Sequence, residues 1–401
     1  MRLVPALILG LPLLAQGASP VQERADRFLK VVNAGYQSLY YVNSQATWDA
    51  ATDVKPEHDA GAEWAGKAFA AFNGNPALIT EARELLKHRK ELQDLTVRQL
   101  DRVLLNAAEG PMTNPKLVSD RVVAETAQNS TLNGFVWKLD GQPVSANRID
   151  EILAKSENLA ERLRIWEVSK ENGPALKDGL LRLRDLRNAC ARELGYSDYF
   201  SLQVAKYGMG TDEMMAYNRK FLAELKPLYL QLHTWVKYEM AKKYGQPVPR
   251  AIPAHWINNR WSQNWTGFVK AVDFDPYFKG WQPERIVKTA EAFYTGLGFE
   301  PLPASFWVKS DLYPVPAGGT RKKNSHASCW HLDLDTDIRS LMSVAPNAEW
   351  FETTHHELAM AITSCPTPTP KCRPSCGTAP TPASTKAWAS SLPWPPARSR
   401  T

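Results

Sequence analysis

The sequence predicts a mainly α-helical protein, and three observations lead to this prediction. Long segments between residues 22 and 297 place apolar side chains close to every 3.6 residues. Signals that start or stop helices, such as Asn75-Pro76 and Gly195, flank several of these segments. The strict alternation typical of a half-buried strand occurs in one short segment, 328–334. We therefore expect helices along most of the chain and a small β-hairpin near residue 330.

Eight helices are predicted from periodicity and flanking signals. They span residues 22–48, 76–86, 92–108, 149–171, 176–194, 211–245, 283–297 and 348–358. Gly173-Pro174 separates the fourth from the fifth, and Thr211-Asp212 caps the sixth, whose apolar stripe includes Phe221, Leu225 and Leu228. Residues 129–142 are polar and predict a loop or a short hairpin. Residues 247–265 are rich in Pro, Trp and Asn and predict irregular structure.

The hairpin is expected directly before the last helix. Trp330, Leu332 and Leu334 fall on one side of the alternating segment 328–334. Residues 335–337 predict a turn, and 338–344 a second short strand. The basic run Arg321-Lys322-Lys323 is expected to be a solvated loop.

Composition and charge exclude some classes of protein. The chain has 401 residues, 44% of them hydrophobic, which is enough for a large core. Its net charge of +6 is concentrated after Leu358, where five basic and no acidic residues occur, so the charge gives no support for nucleic-acid binding.

The N-terminal segment predicts a secretory signal peptide, because Arg2 is followed by an apolar run over 3–14 and by the small residues Ala15 and Ala18. The run is too short to span a bilayer comfortably, and we expect no membrane span after signal cleavage.

The last predicted helix carries a partial metal-binding motif. His356-Glu357 is the first half of H-E-x-x-H, which on a helix places two imidazoles one turn apart with a Glu beside them to act on a metal-bound water. Met360 stands where the second His belongs. His355 is expected to pack or hydrogen-bond beside the motif rather than to bind metal.

Six strings, read in order, resemble the angiotensin-converting-enzyme family of peptidyl-dipeptidases, peptidase family M2. They are SQATWDAATD (44–53), LGYSDYFSL (194–202), AHW (254–256), WSQNW (261–265), HASCW (326–330) and WFETTHHEL (350–358). The resemblance covers residues 22–358, somewhat more than the first half of a family catalytic domain. It implies a helical, two-lobed, zincin-like metallopeptidase fold around a deep groove, incomplete in this chain.

The resemblance also implies an activity and site residues. The family removes C-terminal dipeptides from oligopeptides with zinc as cofactor. Carried over by position, His356 is a zinc ligand, Glu357 the general base, His326 and Ala327 hold the substrate backbone, and Gln263 belongs to the pocket for the substrate's C-terminal carboxylate. An ordinary structural role is the alternative for His326 and for Gln263.

The chain departs from the family pattern after Leu358. The second zinc His, a downstream Glu ligand and the other pocket groups have no counterpart, and residues 359–401 contain nine Pro and no acid. We expect that one nucleotide is missing at the Leu358/Ala359 junction, because one restored base lets Ala359-Met360-Ala361 be read as Gly-His-Gly. A natural, divergent, low-complexity tail is the alternative.

These inferences combine into one prediction with two alternatives. We expect a signal peptide at 1–18, the N-terminal part of an M2-type domain at 19–358 and a frameshifted, disordered tail at 359–401. The parent protein is then an exported (periplasmic or extracellular) zinc peptidyl-dipeptidase that acts on oligopeptides, while this chain itself is inactive. The alternatives are a non-catalytic peptide-binding or scaffold protein and a helical metallopeptidase of the thimet-oligopeptidase type.

Overall fold

The structure is a computed structural model that describes residues 19–263, 265 and 273–364. Helices dominate this part of the chain, as predicted, and two antiparallel hairpins accompany them. The helices are α1 Pro20–Thr52, α2 Pro56–Asn73, α3 Pro76–Lys87, α4 Asp94–Ala107, α5 Pro115–Asn133, α6 Ala146–Lys155, α7 Leu159–Val168, α8 Asn172–Glu193, α9 Tyr199–Ala205, α10 Thr211–Lys243, α11 Pro283–Gly296, α12 Ala304–Lys309 and α13 Ala348–Ser364. The strands are β1 Trp137–Leu139, β2 Gln142–Val144, β3 Ser328–His331 and β4 Ile338–Leu341.

Local capping sets the start of α3 as the sequence predicts, whereas the predicted Thr211-Asp212 cap is wrong, because α10 begins after Gly210 without a side-chain cap. The Asn75 side chain accepts a hydrogen bond from the Ala77 amide at 2.8 Å, and Pro76 takes the first position of α3. The predicted helix 149–171 is wrong in one respect, because it divides into α6 and α7. Asn158 caps α7 by accepting from the amides of Ala160 and Glu161, so the chain stops and restarts there.

Helices α2 and α5 were not among the predicted elements. α2 is rich in Ala and Gly, and only Ala65 and Ala70 are buried, so its sequence lacks the large apolar stripe that signals a helix. Nevertheless α2 packs between α1 and α5, and α5 packs on α8. The first hairpin packs instead on α6 and α7, where Trp137, Leu139 and Val144 lie against a core that includes Leu153 and Ile165.

A separate core surrounds the second hairpin and α13. It joins α11, α12, β4 and α13 through fully buried side chains, among them Ile286, Tyr294, Phe306, Ile338 and Leu358. Burial of this much apolar surface is the main source of its stability. The motif helix is therefore part of the core.

Strands β3 and β4 pair antiparallel, with Ser328 opposite Leu341 and His331 opposite Ile338. The prediction of this hairpin before the motif helix is confirmed, although β3 ends at His331 rather than at 334. Leu334 lies in the turn with φ of +59°, and the Asp333 carboxylate accepts from the amides of Asp335, Thr336 and Asp337.

Helix α13 continues past the position where the sequence predicts its end. It runs through Leu358 to Ser364, and Ala359, Ala361 and Ile362 are buried in the core. Ala, Met and Ile are compatible with a helix, so the backbone shows no break at the predicted junction. The remainder of the predicted tail, 365–401, and the predicted signal peptide, 1–18, lie outside the described residues. Within the residues that are described, no helix is both long and apolar enough to cross a membrane.

Candidate active site

Polar residues fix the start of α13. The Asn347 side chain accepts from the Trp350 amide at 2.8 Å, and the Asp275 carboxylate accepts from the Ala348 amide at 3.0 Å. Both acceptors satisfy amides that have no partner inside the helix, and the carboxylate also complements the helix dipole. Asp275 is distant in sequence, so no local pattern predicts it.

His355 packs beside the motif, as predicted. Its Nδ1 lies 2.6 Å from the Phe351 carbonyl oxygen, and its ring contacts Phe351 with centroids 4.2 Å apart. Tyr294 of α11 donates from Oη to the His355 carbonyl at 2.7 Å. Desolvation lowers the pKa of His355 and raises the pKa of Tyr294 to about 12, so both side chains are held neutral near pH 7.

The two motif residues differ in exposure. Glu357 is 8% exposed and lies on the buried side of α13, whereas His356 is half-buried. Met360, also half-buried, follows His356 by one helical turn and shares its face. The helix therefore has the geometry that a two-imidazole site requires, and a thioether occupies the second position.

Strand β3 runs next to α13. Ala327, immediately before β3, packs against the core that contains Leu358 and Ala359. On the other face, Trp330 makes an edge contact with Trp48 of α1, with ring centroids 5.5 Å apart. Within the described part of the chain, β3 pairs along one edge with β4 and along the other with no strand.

His326 and Ala327 precede β3 rather than lying within it. His326 is exposed, and its amide donates to the Asn324 side chain at 2.9 Å. Ala327 is half-buried. Both residues thus lie at the entrance to the open edge of β3, beside α13.

The segment that leads into His326 is anchored by a buried lysine, Lys323. The prediction of a solvated loop at 321–323 is therefore wrong for Lys323. The Lys323 side chain is 4% exposed and pairs with Asp311 at 2.7 Å. It also donates to the carbonyls of Tyr313 and Met342 at 2.8 and 2.7 Å. Arg321 pairs with the same carboxylate. A basic run alone does not reveal which member finds a buried partner.

Gln263 lies in a different segment, 254–265. It is exposed, and its amide donates to the Asn259 side chain at 2.9 Å. Arg162 of α7, fully buried, fastens this segment by donating to the carbonyls of His255, Trp256 and Ile257 at 2.8 to 3.1 Å. Hydrogen bonds from a charged guanidinium to backbone carbonyls hold a loop firmly. The helical periodicity of the sequence gives no indication that Arg162 has this role.

This segment approaches the start of α13. Arg260 pairs bidentately with Asp150 at 2.8 and 2.9 Å. Glu349 lies in the first turn of α13 and is close enough to feel both charges. Desolvation raises the pKa of Glu349, the Asp150 carboxylate raises it further, and the Arg260 guanidinium lowers it. Gln263 therefore follows Arg260, which is next to α13, by three residues. No described contact joins Gln263 to His326 or His356.

The donor groups do not fit the zinc that the resemblance implies. A catalytic zinc site uses three protein ligands and one open position. Among the described residues, no group of three His, Cys, Asp or Glu side chains is placed to hold a metal ion. Met360 replaces an imidazole by a soft thioether, which is not a usual zinc ligand.

Comparison with known proteins gives a consistent match. The sequence model of the Peptidase_M2 family, described as angiotensin-converting enzyme, matches residues 19–362. The chain is 26% identical to angiotensin-converting enzyme of Rattus norvegicus over 371 residues and 26% identical to that of Bos taurus over 362 residues. Each alignment covers 84% of this chain and 26% of the relative, so the chain spans about a quarter of the length of these proteins.

Proposed function

We propose a function from one premise: this chain belongs to the angiotensin-converting enzyme family, peptidase family M2. The family is one of metallopeptidases, which act on peptides. The match to this family does not favour the thimet-oligopeptidase alternative. The proposal is that the chain binds an extended oligopeptide along the open edge of β3, beside α13, and does not cleave it.

One observation carries the binding half of this proposal. β3 lies against α13 and uses only one of its two edges for pairing with a described strand. An extended peptide can add to such an edge through main-chain hydrogen bonds. His326 and Ala327 at its entrance are the groups proposed to contact the peptide backbone, and Gln263 is proposed to contact its C-terminal carboxylate.

The non-catalytic half follows from the donor set on α13. In the parent peptidyl-dipeptidase, Glu357 is proposed to act as general base, with His356 as the first of three zinc ligands. The residues present supply one of these ligands, so no hydrolytic step is assigned to this chain. Glu357 is nearly buried on α13, the helix that contacts β3.

Peptide binding can be tested without activity. Fluorescein-labelled pentapeptides with free carboxyl termini are titrated with the chain, and anisotropy is measured. Binding should occur and should be lost when the peptide backbone is N-methylated, because a methylated amide cannot donate to a strand edge. His326→Ala should weaken binding, while His88→Ala, at another exposed histidine far along the sequence, should leave it unchanged. Binding that ignores methylation, or no binding, contradicts the proposal.

We also propose that the coding sequence lacks one nucleotide at the Leu358/Ala359 junction. The support is the loss of acidic residues and of the family pattern beyond this point. Sequencing the DNA across codons 355–401 from an independent source tests this directly. An intact frame that encodes residues 359–401 as printed contradicts it.

Export through the segment 1–18 is likewise proposed, and N-terminal sequencing of the mature protein tests it.

A further inference from the structure

Arg162 of α7 is a fully buried arginine whose guanidinium binds backbone carbonyls. Its five N–H groups donate to five carbonyl oxygens at 2.5 to 3.1 Å. Two of these acceptors, Leu153 and Ser156, lie at the end of α6, and the other three belong to residues 255–257. A buried charge with this many acceptors fixes two backbone segments relative to each other.

The segment that Arg162 holds closes into a loop that ends beside Gln263. Ser262 donates from Oγ to the Ala254 carbonyl at 3.2 Å and from its amide to the Asn259 carbonyl at 3.1 Å. Ser262 has φ of +57°, a left-handed conformation that a serine keeps where its surroundings hold it. The amide of Gln263 donates to the Asn259 side chain at 2.9 Å. The closure of this loop therefore sets the backbone position of Gln263.

The same pair of helices also holds the middle of the loop. Lys170, two residues after α7, donates to the Arg260 carbonyl at 2.5 Å, and the Arg260 guanidinium pairs with Asp150 of α6. The two cations lie over the Trp261 ring, 4.8 and 5.5 Å from its centre. These attachments, like those of Arg162, lead to α6 and α7, so the loop and the two helices form one packed unit.

We propose that Arg162 is a positioning residue for Gln263 and thereby sets a preference for peptides with a free C-terminal carboxylate. The inference rests on the proposed function, in which Gln263 contacts that carboxylate. An amide side chain distinguishes a carboxylate from a neutral group when its donor is held in place, because a hydrogen bond weakens steeply with distance and angle. Arg162 is fully buried and acts through the loop, not by contact with the peptide.

The test compares two fluorescein-labelled pentapeptides that differ at the C-terminus, a free acid and an amide. Anisotropy gives the two dissociation constants, and their ratio measures the preference. The wild type should prefer the acid by about tenfold, and Gln263→Ala should bring the ratio close to one. Arg162→Lys supplies three donors for five carbonyls and should lower the ratio in the same way, while binding stays sensitive to N-methylation of the peptide backbone.

Two further variants control for a general loss of structure. Arg164→Lys makes the same change at an exposed arginine of α7 and should keep the wild-type ratio. Arg162→Lys/Gln263→Ala should lower the ratio no further than Gln263→Ala, because both changes act on one contact. If circular dichroism shows that Arg162→Lys is unfolded, Asn259→Ala replaces it, since Asn259 is the acceptor of the Gln263 amide, and should lower the ratio.

The inference and the proposed function fail in different ways. If Arg162→Lys weakens acid and amide equally and keeps the wild-type ratio, Arg162 only stabilises the fold, and the inference is wrong while peptide binding stands. If the wild type binds neither peptide, the proposed function fails and the inference with it. Wild-type binding with equal affinity for acid and amide contradicts the contact of Gln263 with the carboxylate, and so contradicts the inference as well.

Discussion

Met360 stands at the position where the H-E-x-x-H motif would place its second His. The preceding residues place His356 and Glu357 on α13 with the spacing that the motif requires, and the helix continues in phase through position 360. The backbone is therefore prepared for a second imidazole one turn later. The sequence alone identifies this position, because a motif with fixed spacing needs no tertiary information.

Introducing an imidazole at position 360 should create a two-ligand metal site on α13. Met360→His should raise the affinity for Zn²⁺ or Ni²⁺ by about tenfold or more, about 1.4 kcal/mol, because two imidazoles at i and i+4 share one ion. Isothermal titration calorimetry measures the change. Met360→Leu is the matched control and should bind no better than wild type, and His356→Ala in the Met360→His background should abolish the gain. Equal affinity of the Met360→His variant and wild type contradicts the assignment of His356.

Tyr294 should make the stability of the motif region pH-dependent. Burial raises its pKa to about 12, against about 10 in an unfolded chain, so the neutral phenol stabilises the fold below pH 10 and this contribution is lost as the pH rises towards 12. Tyr294→Phe removes the hydrogen bond to the His355 carbonyl and should cost roughly 1 kcal/mol at pH 7. Urea unfolding should show this difference shrinking above pH 10. A difference that stays constant to pH 11.5 excludes this role.

At the scale of elements, sequence patterns predict what is local. The starts of α3 and α11 and the hairpin before α13 follow from caps, proline positions and alternation. Helix α2 could not be predicted from periodicity, because its buried positions are alanines that become meaningful only between α1 and α5. The burial of Lys323 depends on its contacts with Asp311 and Met342, which a single sequence does not reveal. The division of α6 from α7, by contrast, follows from the local cap at Asn158.

Lys323 should contribute strongly to the segment that leads into β3. Lys323→Met leaves the half-buried Asp311 carboxylate with Arg321 as its remaining basic partner, and leaves two carbonyls unsatisfied. We expect a loss of about 2 kcal/mol or more in the free energy of unfolding. Lys322→Met, at the exposed neighbour, should change it by less than about 0.5 kcal/mol. Urea denaturation of both variants measures the two effects, and equal losses contradict the anchoring role.

At the scale of the whole molecule, the described residues form the helical frame of an M2-family protein, and the motif helix is buried in one of its cores. The predicted mainly α fold is confirmed. The two lobes, the deep groove and the contact of Gln263 with a substrate remain predictions, because they depend on how distant segments face each other around a peptide. The exposure of apolar side chains along α10, such as Leu225 and Leu228, has no signal in the sequence beyond their periodicity, which is the same for a buried helix.

The central claim is that this chain retains the frame of a metallopeptidase without a complete metal site. The most direct measurement is the zinc content of the purified 401-residue chain by mass spectrometry, combined with an assay for dipeptide release from an N-blocked tripeptide in the presence of added zinc. The claim predicts well below one zinc per chain and no dipeptide above the level of a Glu357→Gln control. One zinc per chain, together with dipeptide release that this control lacks, would contradict it.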